Sequence, residues 1–131
     1  VDRQVSLEEL LSSADIVSLH CPLTAETKGM IGKEQLALMK KTAFLINTAR
    51  GGVVDQDALA AALSDGQIAG AALDVFDKEP PLPEDHPLLH APNTIVTPHI
   101  GFASVESLEQ RADIVFENLY SWLEGRQLNA V

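Results

Sequence analysis

The chain has 131 residues, of which 46 % are apolar and 21 % charged, enough of both for one globular domain with its own core. Nine Lys and Arg face nineteen Asp and Glu, a net charge of -10 that repels polyphosphate and argues against a nucleic-acid partner. One cysteine, Cys21, cannot close an internal disulfide, no Cys/His cluster has zinc spacing, and no apolar run approaches the roughly 18 residues of a membrane helix.

Reading along the chain, Ser6-Leu7-Glu8-Glu9 has the form of a helix-capping box, predicting a helix from Leu7 to about Ser13. The run Asp15–His20 (DIVSLH) follows, then a second helix, Lys33–Lys40, after Gly32. Thr42–Asn47 (TAFLIN) is the second apolar run. A third helix is capped by Asp55, carries Leu59, Ala62 and Leu63 on one side, and stops before Gly66. Ala69–Phe76 (AGAALDVF) and Thr94–Thr97 (TIVT) complete the set of four runs. None alternates cleanly with polar residues, which predicts strands buried on both faces. Helix and strand alternate throughout, so the expected class is α/β with a parallel sheet flanked by helices.

Between Phe76 and Asn93 the pattern breaks. Five of the seven prolines lie there (Pro80, Pro81, Pro83, Pro87 and Pro92), predicting an ordered loop, and a long loop in a compact domain is often functional. From about Ser104 to Glu124 a single amphipathic helix is expected. Its residues Val105, Leu108, Ala112, Val115, Leu119 and Trp122 recur at spacings of 3, 4, 3, 4 and 3. Two readings of that stripe stay open: packing on its own domain, or a subunit or interdomain contact.

In an open parallel sheet, ligands bind beyond the carboxyl ends of the strands. Reading those ends gives His20, Cys21 and Pro22 after the first run; Thr48, Ala49, Arg50 and Gly51-Gly52 after the second; Asp74 and then Glu79 at the third; Pro98, His99 and Gly101 after the fourth. An arginine, two carboxylates and a histidine thus gather on one rim. Each has a plainer alternative: Arg50 capping a turn, Asp74 held by backbone N–H groups, Glu79 on the loop surface, His99 satisfied at a strand end. Their common alignment favours a site. His86 and His90 are four apart, as metal ligands on a helix would be, but Pro87 lies between them and no metal is expected. Gly51-Gly52 is a turn and not a phosphate loop, because no Lys-Ser/Thr follows.

Four segments in order carry a family resemblance: HCPLTAETKGMIG (His20–Gly32), NTARGGVVD (Asn47–Asp55), GAALDVFDKEP (Gly70–Pro80) and TPHIGFAS (Thr97–Ser104). Together they resemble the D-2-hydroxyacid dehydrogenases, a family that includes phosphoglycerate, glycerate and D-lactate dehydrogenases. The resemblance runs from about Val5 to the end of the chain. It implies a partial Rossmann-like NAD-binding domain spanning 1–131 that lacks its first βαβ unit, from a longer protein, since the first residue is Val1.

The implied roles follow the motifs. Arg50 resembles the arginine that holds the substrate carboxylate, His99 the acid/base, and Glu79 its carboxylate partner. Asp74 resembles the acceptor for the nicotinamide carboxamide. Thr48, Ala49 and Arg50 resemble a stretch lying along the cofactor, to which Cys21, His99 and Gly101 also belong. The chemistry suits these residue types. Arginine offers a planar fork for a carboxylate, histidine exchanges protons near neutral pH, and a carboxylate beside it favours the imidazolium.

The implied cofactor is NAD or NADP, with NAD favoured, and the implied substrate a small 2-hydroxy or 2-keto acid. Neither nucleic acid nor membrane is an expected partner, a homodimer is, and the expected compartment is the cytoplasm. The glycine fingerprint GxGxxG and the ribose-binding acid are absent, so the piece alone is expected to be inactive. Glu79 differs from the glutamine of formate dehydrogenases, and TPHIGFAS from the aromatic-rich segment of fermentative D-lactate dehydrogenases. EPPLPEDHPLL is similar to glycerate- and hydroxypyruvate-type members. An alternative from another class is a corepressor-like NAD sensor or dimerisation module of the same fold; a bare nucleotide-binding module would leave Glu79 and His99 unexplained.

The family's strand order, 3-2-1-4-5-6, adds one expectation. With Asp15–His20 as strand 3 and the later runs as strands 4 to 6, two strands are missing between the first run and the second. That gap would be closed by another chain or by rearrangement, and the piece would form a dimer or larger assembly.

Overall fold

The computed structural model describes residues 3–78 and 81–130. It contains two compact units, Val1–His99 and Ile100–Val131.

In the first unit, α1 (Leu7–Ser13) starts as its sequence predicts: the Ser6 hydroxyl accepts from the Glu9 N–H at 3.2 Å. The Glu9 carboxylate pairs with Arg3. The four runs form strands β1 (Ile16–Leu19), β2 (Phe44–Asn47), β3 (Gly70–Leu73) and β4 (Thr94–Val96). Between them lie α2 (Lys33–Leu38) and α3 (Gln56–Ser64). The first of these ends two residues before the predicted Lys40, because Met39 turns extended, with ψ 150°. The second is capped by Asp55, whose carboxylate accepts from Ala58 N–H at 3.0 Å, and stops at Gly66 with φ +62°. The proline-rich loop holds one further helix that the sequence reading did not include, α4 (Pro87–His90), with Pro87 in its first turn.

All strand pairs are parallel, in the order β1-β2-β3-β4. This overturns the expected two-strand gap: Ile16 to Leu19 pair residue for residue with Phe44 to Asn47. The error lies in the strand numbering. In a 3-2-1-4-5-6 sheet the one consecutive pair that is not adjacent is strands 3 and 4, so four strands adjacent in chain order cannot begin at strand 3, and Asp15–His20 does not hold that position.

Burial on both faces is also not what the structure has. Val17, Leu19, Leu45, Ala71 and Leu73 are buried with Leu11, Leu36, Leu59 and Leu63 of the helices. Opposite them, Ile16 is 61 % exposed, Phe44 49 % and Ile95 68 %. Right-handed crossovers that advance one strand at a time in one direction put every connecting helix on the same face. Helices α1 to α4 accordingly pack side by side, and they cover one face.

In the second unit α5 spans Val105–Leu123. Ser104 and Ser107 cap it reciprocally, each hydroxyl accepting the other's backbone N–H at 3.1 Å. The Arg111 guanidinium lies 4.8 Å over the Phe102 ring. Val105, Leu108, Val115, Leu119 and Trp122 are exposed. Among the described residues no helix is long and apolar enough to cross a membrane.

Candidate active site

The register aligns the strand ends. Leu19 pairs with Asn47, Asn47 with Leu73, and Leu73 with Val96. Whatever follows these four residues therefore emerges along one rim: His20 and Cys21 after β1, Thr48 to Arg50 after β2, Asp74 after β3, and Thr97 to His99 after β4.

A buried side chain shapes the turn after β2. Asn47 is fully enclosed; its Nδ2 donates to the Arg50 carbonyl and its Oδ1 accepts from Ala49 N–H, both at 3.0 Å. Its own carbonyl accepts from Asp74 N–H at 3.0 Å, which ties this turn to the end of β3. The chain then enters a 3-10 turn, Gly51–Val53. A Cβ on Gly51 would lie 2.1 Å from the carbonyl carbon of Phe76, so only glycine lets the two backbones meet. The loop after β1 is strapped to the same turn by Gly29 N–H to Gly52 O at 2.8 Å and Ile31 N–H to Val53 O at 3.0 Å.

Arg50 is exposed, and its Nη1 donates to the Ala49 carbonyl at 2.6 Å. With His20, Cys21, Pro22, Thr48 and Ala49 it lines a recess of about 320 Å³. Cys21 is a free, half-buried thiol. Asp74 is only 5 % exposed, and its carboxylate accepts from the Thr97 hydroxyl. His99 sits at φ +55°, a left-handed conformation costly for a residue with a Cβ and one that clusters at functional sites. It lines a second, apolar recess of about 260 Å³ with Phe76, Lys78, Leu82, Leu89 and Val96.

The sequence-predicted residues thus fall into three groups along the rim. Cys21, Thr48, Ala49 and Arg50 surround one recess, His99 borders another, and Asp74 directly follows β3, the strand between those that precede Arg50 and His99. Glu79 lies outside the described residues. Gly101 is in the second unit, in the turn ahead of α5. His20 Nε2 is 2.8 Å from the Ser18 hydroxyl, and His90 Nε2 donates to the Glu84 carbonyl at 2.8 Å. Two exposed carboxyls outside the predicted set are held below the usual range. Glu26 is lowered by the Thr24 hydroxyl and its own backbone N–H, and Glu106 by its own backbone N–H and Ser104.

Thr97 and Asn47 were not singled out by the sequence. The signal for Thr97 was a hydroxyl one residue past the pairing of β4 with β3, beside a carboxylate one residue past the same pairing. It becomes readable only once those two strands are known to be neighbours.

Residues 1–101 match the family model described as D-isomer specific 2-hydroxyacid dehydrogenase, NAD binding domain. A glyoxylate reductase of Korarchaeum cryptofilum is 54 % identical over 121 residues, which are 92 % of this chain and 36 % of that enzyme. Among solved structures, a protein of Thermus thermophilus superposes with a TM-score of 0.87 at 52 % identity, covering 94 % of this chain and 39 % of that one. An NAD-complexed D-isomer specific 2-hydroxyacid dehydrogenase of Lactobacillus delbrueckii ssp. bulgaricus gives 0.87 at 39 % identity, covering 97 % and 42 %. The chain therefore spans well under half the length of these relatives. It belongs to the D-isomer specific 2-hydroxyacid dehydrogenase family, within that family's NAD-binding domain.

Proposed function

We propose that the whole protein interconverts a D-2-hydroxy acid and its 2-keto acid, with Arg50, Glu79 and His99 as its catalytic residues and Cys21, Thr48, Ala49, Arg50, Asp74, His99 and Gly101 along the cofactor. The observation that carries this reading is the strand register, which aligns the turns holding Arg50, Asp74 and His99 on one rim.

The residues present fit the nicotinamide end of NAD(P). Asp74 is a buried carboxylate, an acceptor with several lone pairs, suited to a carboxamide N–H. The recess between the turns after β1 and β2 offers about 320 Å³ beside it in the sheet order. When bound, NAD(P)H supplies the hydride. Arg50 pairs its guanidinium with the substrate carboxylate and draws electron density from the adjacent carbonyl. As the carbonyl π pair moves onto oxygen, the His99 imidazolium gives that oxygen a proton. In the reverse direction neutral His99 takes the proton back, and Glu79 stabilises the charged form.

The preferred cofactor in this reading is NAD and the compartment the cytoplasm. The substrate is a short 2-keto acid of the glyoxylate or hydroxypyruvate kind; the similarity to a glyoxylate reductase supports that class. The exposed α5 stripe supports a homodimer, which light scattering on the whole protein tests. The isolated 131-residue piece binds NAD weakly, since it has no glycine-rich pyrophosphate turn. A panel of 2-keto acids with NADH and NADPH, run on the full-length protein, tests the activity. Turnover with none of them, by folded protein that binds the cofactor, would overturn it.

A further inference from the structure

Away from the rim, His86 makes three contacts that neither the sequence motifs nor the proposed reaction account for. Its Nδ1 accepts from Leu88 N–H at 3.3 Å and so caps α4. Its Nε2 lies 3.1 Å from Gln56 Oε1, thirty residues back, at the first residue of α3. The Phe76 ring meets the imidazole edge-on, with centroids 5.5 Å apart and planes at 83°. Both hydrogen bonds agree on one form of the ring. An Nδ1 that accepts carries no proton, so Nε2–H is the donor and Gln56 Oε1 the acceptor. Gln56 is only 6 % exposed, and its Nε2 has no partner among the described residues, so His86 supplies the one hydrogen bond that this buried amide makes to them.

Both ends of the segment Phe76–His86 are therefore fixed to one short stretch. Phe76 rests on Gly51, which directly follows Arg50, and His86 is tethered to Gln56, five residues later. The same segment supplies Phe76, Lys78 and Leu82 to the wall of the recess that His99 borders. In sequence it also carries Glu79.

We propose that His86 is a positioning residue: its Nε2–H tether to Gln56 clamps the loop that begins at Phe76 onto the Arg50 turn and so holds the wall that Phe76, Lys78 and Leu82 give to the recess His99 borders. The inference rests on the dehydrogenase reading above. A single neutral hydrogen bond lost at such a point reads as about a fivefold fall in kcat.

Two substitutions in the full-length enzyme separate the two ring nitrogens. His86→Asn keeps an acceptor near the Nδ1 position, and with it the cap, but does not reach Gln56. His86→Gln keeps a donor near the Nε2 position and loses the cap. Expected is a fall of about fivefold in keto-acid kcat for His86→Asn with KM for the nicotinamide cofactor unchanged, and a kcat within about twofold of wild type for His86→Gln. Amide hydrogen exchange reads the clamp without activity: residues 81–90 exchange faster in His86→Asn than in His86→Gln. Equal kcat in the two variants, or a kcat loss that follows melting temperature instead of the tether, overturns the proposal while leaving the dehydrogenase reading intact. Should the wild-type enzyme reduce no 2-keto acid, the reading of the reaction fails. Exchange then decides the clamp alone, and equal protection in the two variants overturns that too.

Discussion

Thr97 donates its hydroxyl hydrogen bond to the carboxylate of Asp74, joining the first residue past β4 to the first residue past β3. Asp74 is almost wholly buried, so this hydroxyl helps to fix which way its acceptor atoms face. Thr97→Val removes the donor at nearly constant volume. A hydrogen bond to a charged group contributes about 1.5 kcal/mol at the low end, so NADH affinity should fall roughly tenfold, with little change in KM for the keto acid. Fluorescence titration with NADH checks this, and Thr97→Ser should restore binding. Unchanged NADH affinity in Thr97→Val would remove Asp74's orientation from the account.

Arg50→Ala should lower kcat/KM for the keto acid by roughly a hundredfold or more, the loss of a charge-assisted bidentate contact. Its structural cost should be small, because the side chain is exposed and its hydrogen bond goes to the adjacent Ala49 carbonyl. Arg50→Lys should not recover the activity, since an ammonium cannot reproduce the fork. Steady-state kinetics beside a thermal melt separate the two effects; wild-type kcat/KM in Arg50→Ala would exclude it as the substrate anchor.

Gly51→Ala should behave in the opposite way, destabilising the protein first. The added methyl would meet the Phe76 carbonyl carbon at 2.1 Å, and backbone on both sides leaves nothing flexible to yield. A loss of about 3 kcal/mol is expected, read as a lower denaturation midpoint. Gly52→Ala makes a useful control, because its nearest neighbours are the Leu23 side-chain carbons at 3.1 and 3.2 Å, which can rotate away.

Glu79→Gln, on the proposed reading, should lower kcat for keto-acid reduction by roughly tenfold or more while KM for the nicotinamide cofactor changes little. Steady-state kinetics check this, and a wild-type kcat in Glu79→Gln would separate Glu79 from His99.

Much of the rim was readable because strand ends announce themselves. Each apolar run stops at a polar residue, a proline or a glycine, and a parallel sheet aligns those stops. Ser6 and Asp55 marked their helices for the same local reason: a cap is a contact between residues three apart. Features that depend on distant neighbours were not readable. Ile16, Phe44 and Ile95 have the composition of doubly buried strands, yet one side of the sheet is open, and no local pattern records what covers a face. Helix α4 is a single turn behind a proline, too short to show a period. The contact between His86 and Gln56 crosses thirty positions. The expected gap depended on Asp15–His20 being strand 3 of the fold, and strand order is a long-range property that the direct pairing of β1 with β2 decides against it.

Product analysis in the full-length protein tests the central claim most directly. Glyoxylate or hydroxypyruvate would be incubated with NADH, cofactor oxidation followed, and the configuration of the glycerate formed from hydroxypyruvate determined, for wild type and His99→Asn. The account predicts NADH oxidation matched mole for mole by hydroxy acid, D-glycerate as the chiral product, and a fall of roughly a hundredfold or more in rate for His99→Asn. Formation of L-glycerate, or a His99→Asn enzyme as fast as wild type, would contradict it.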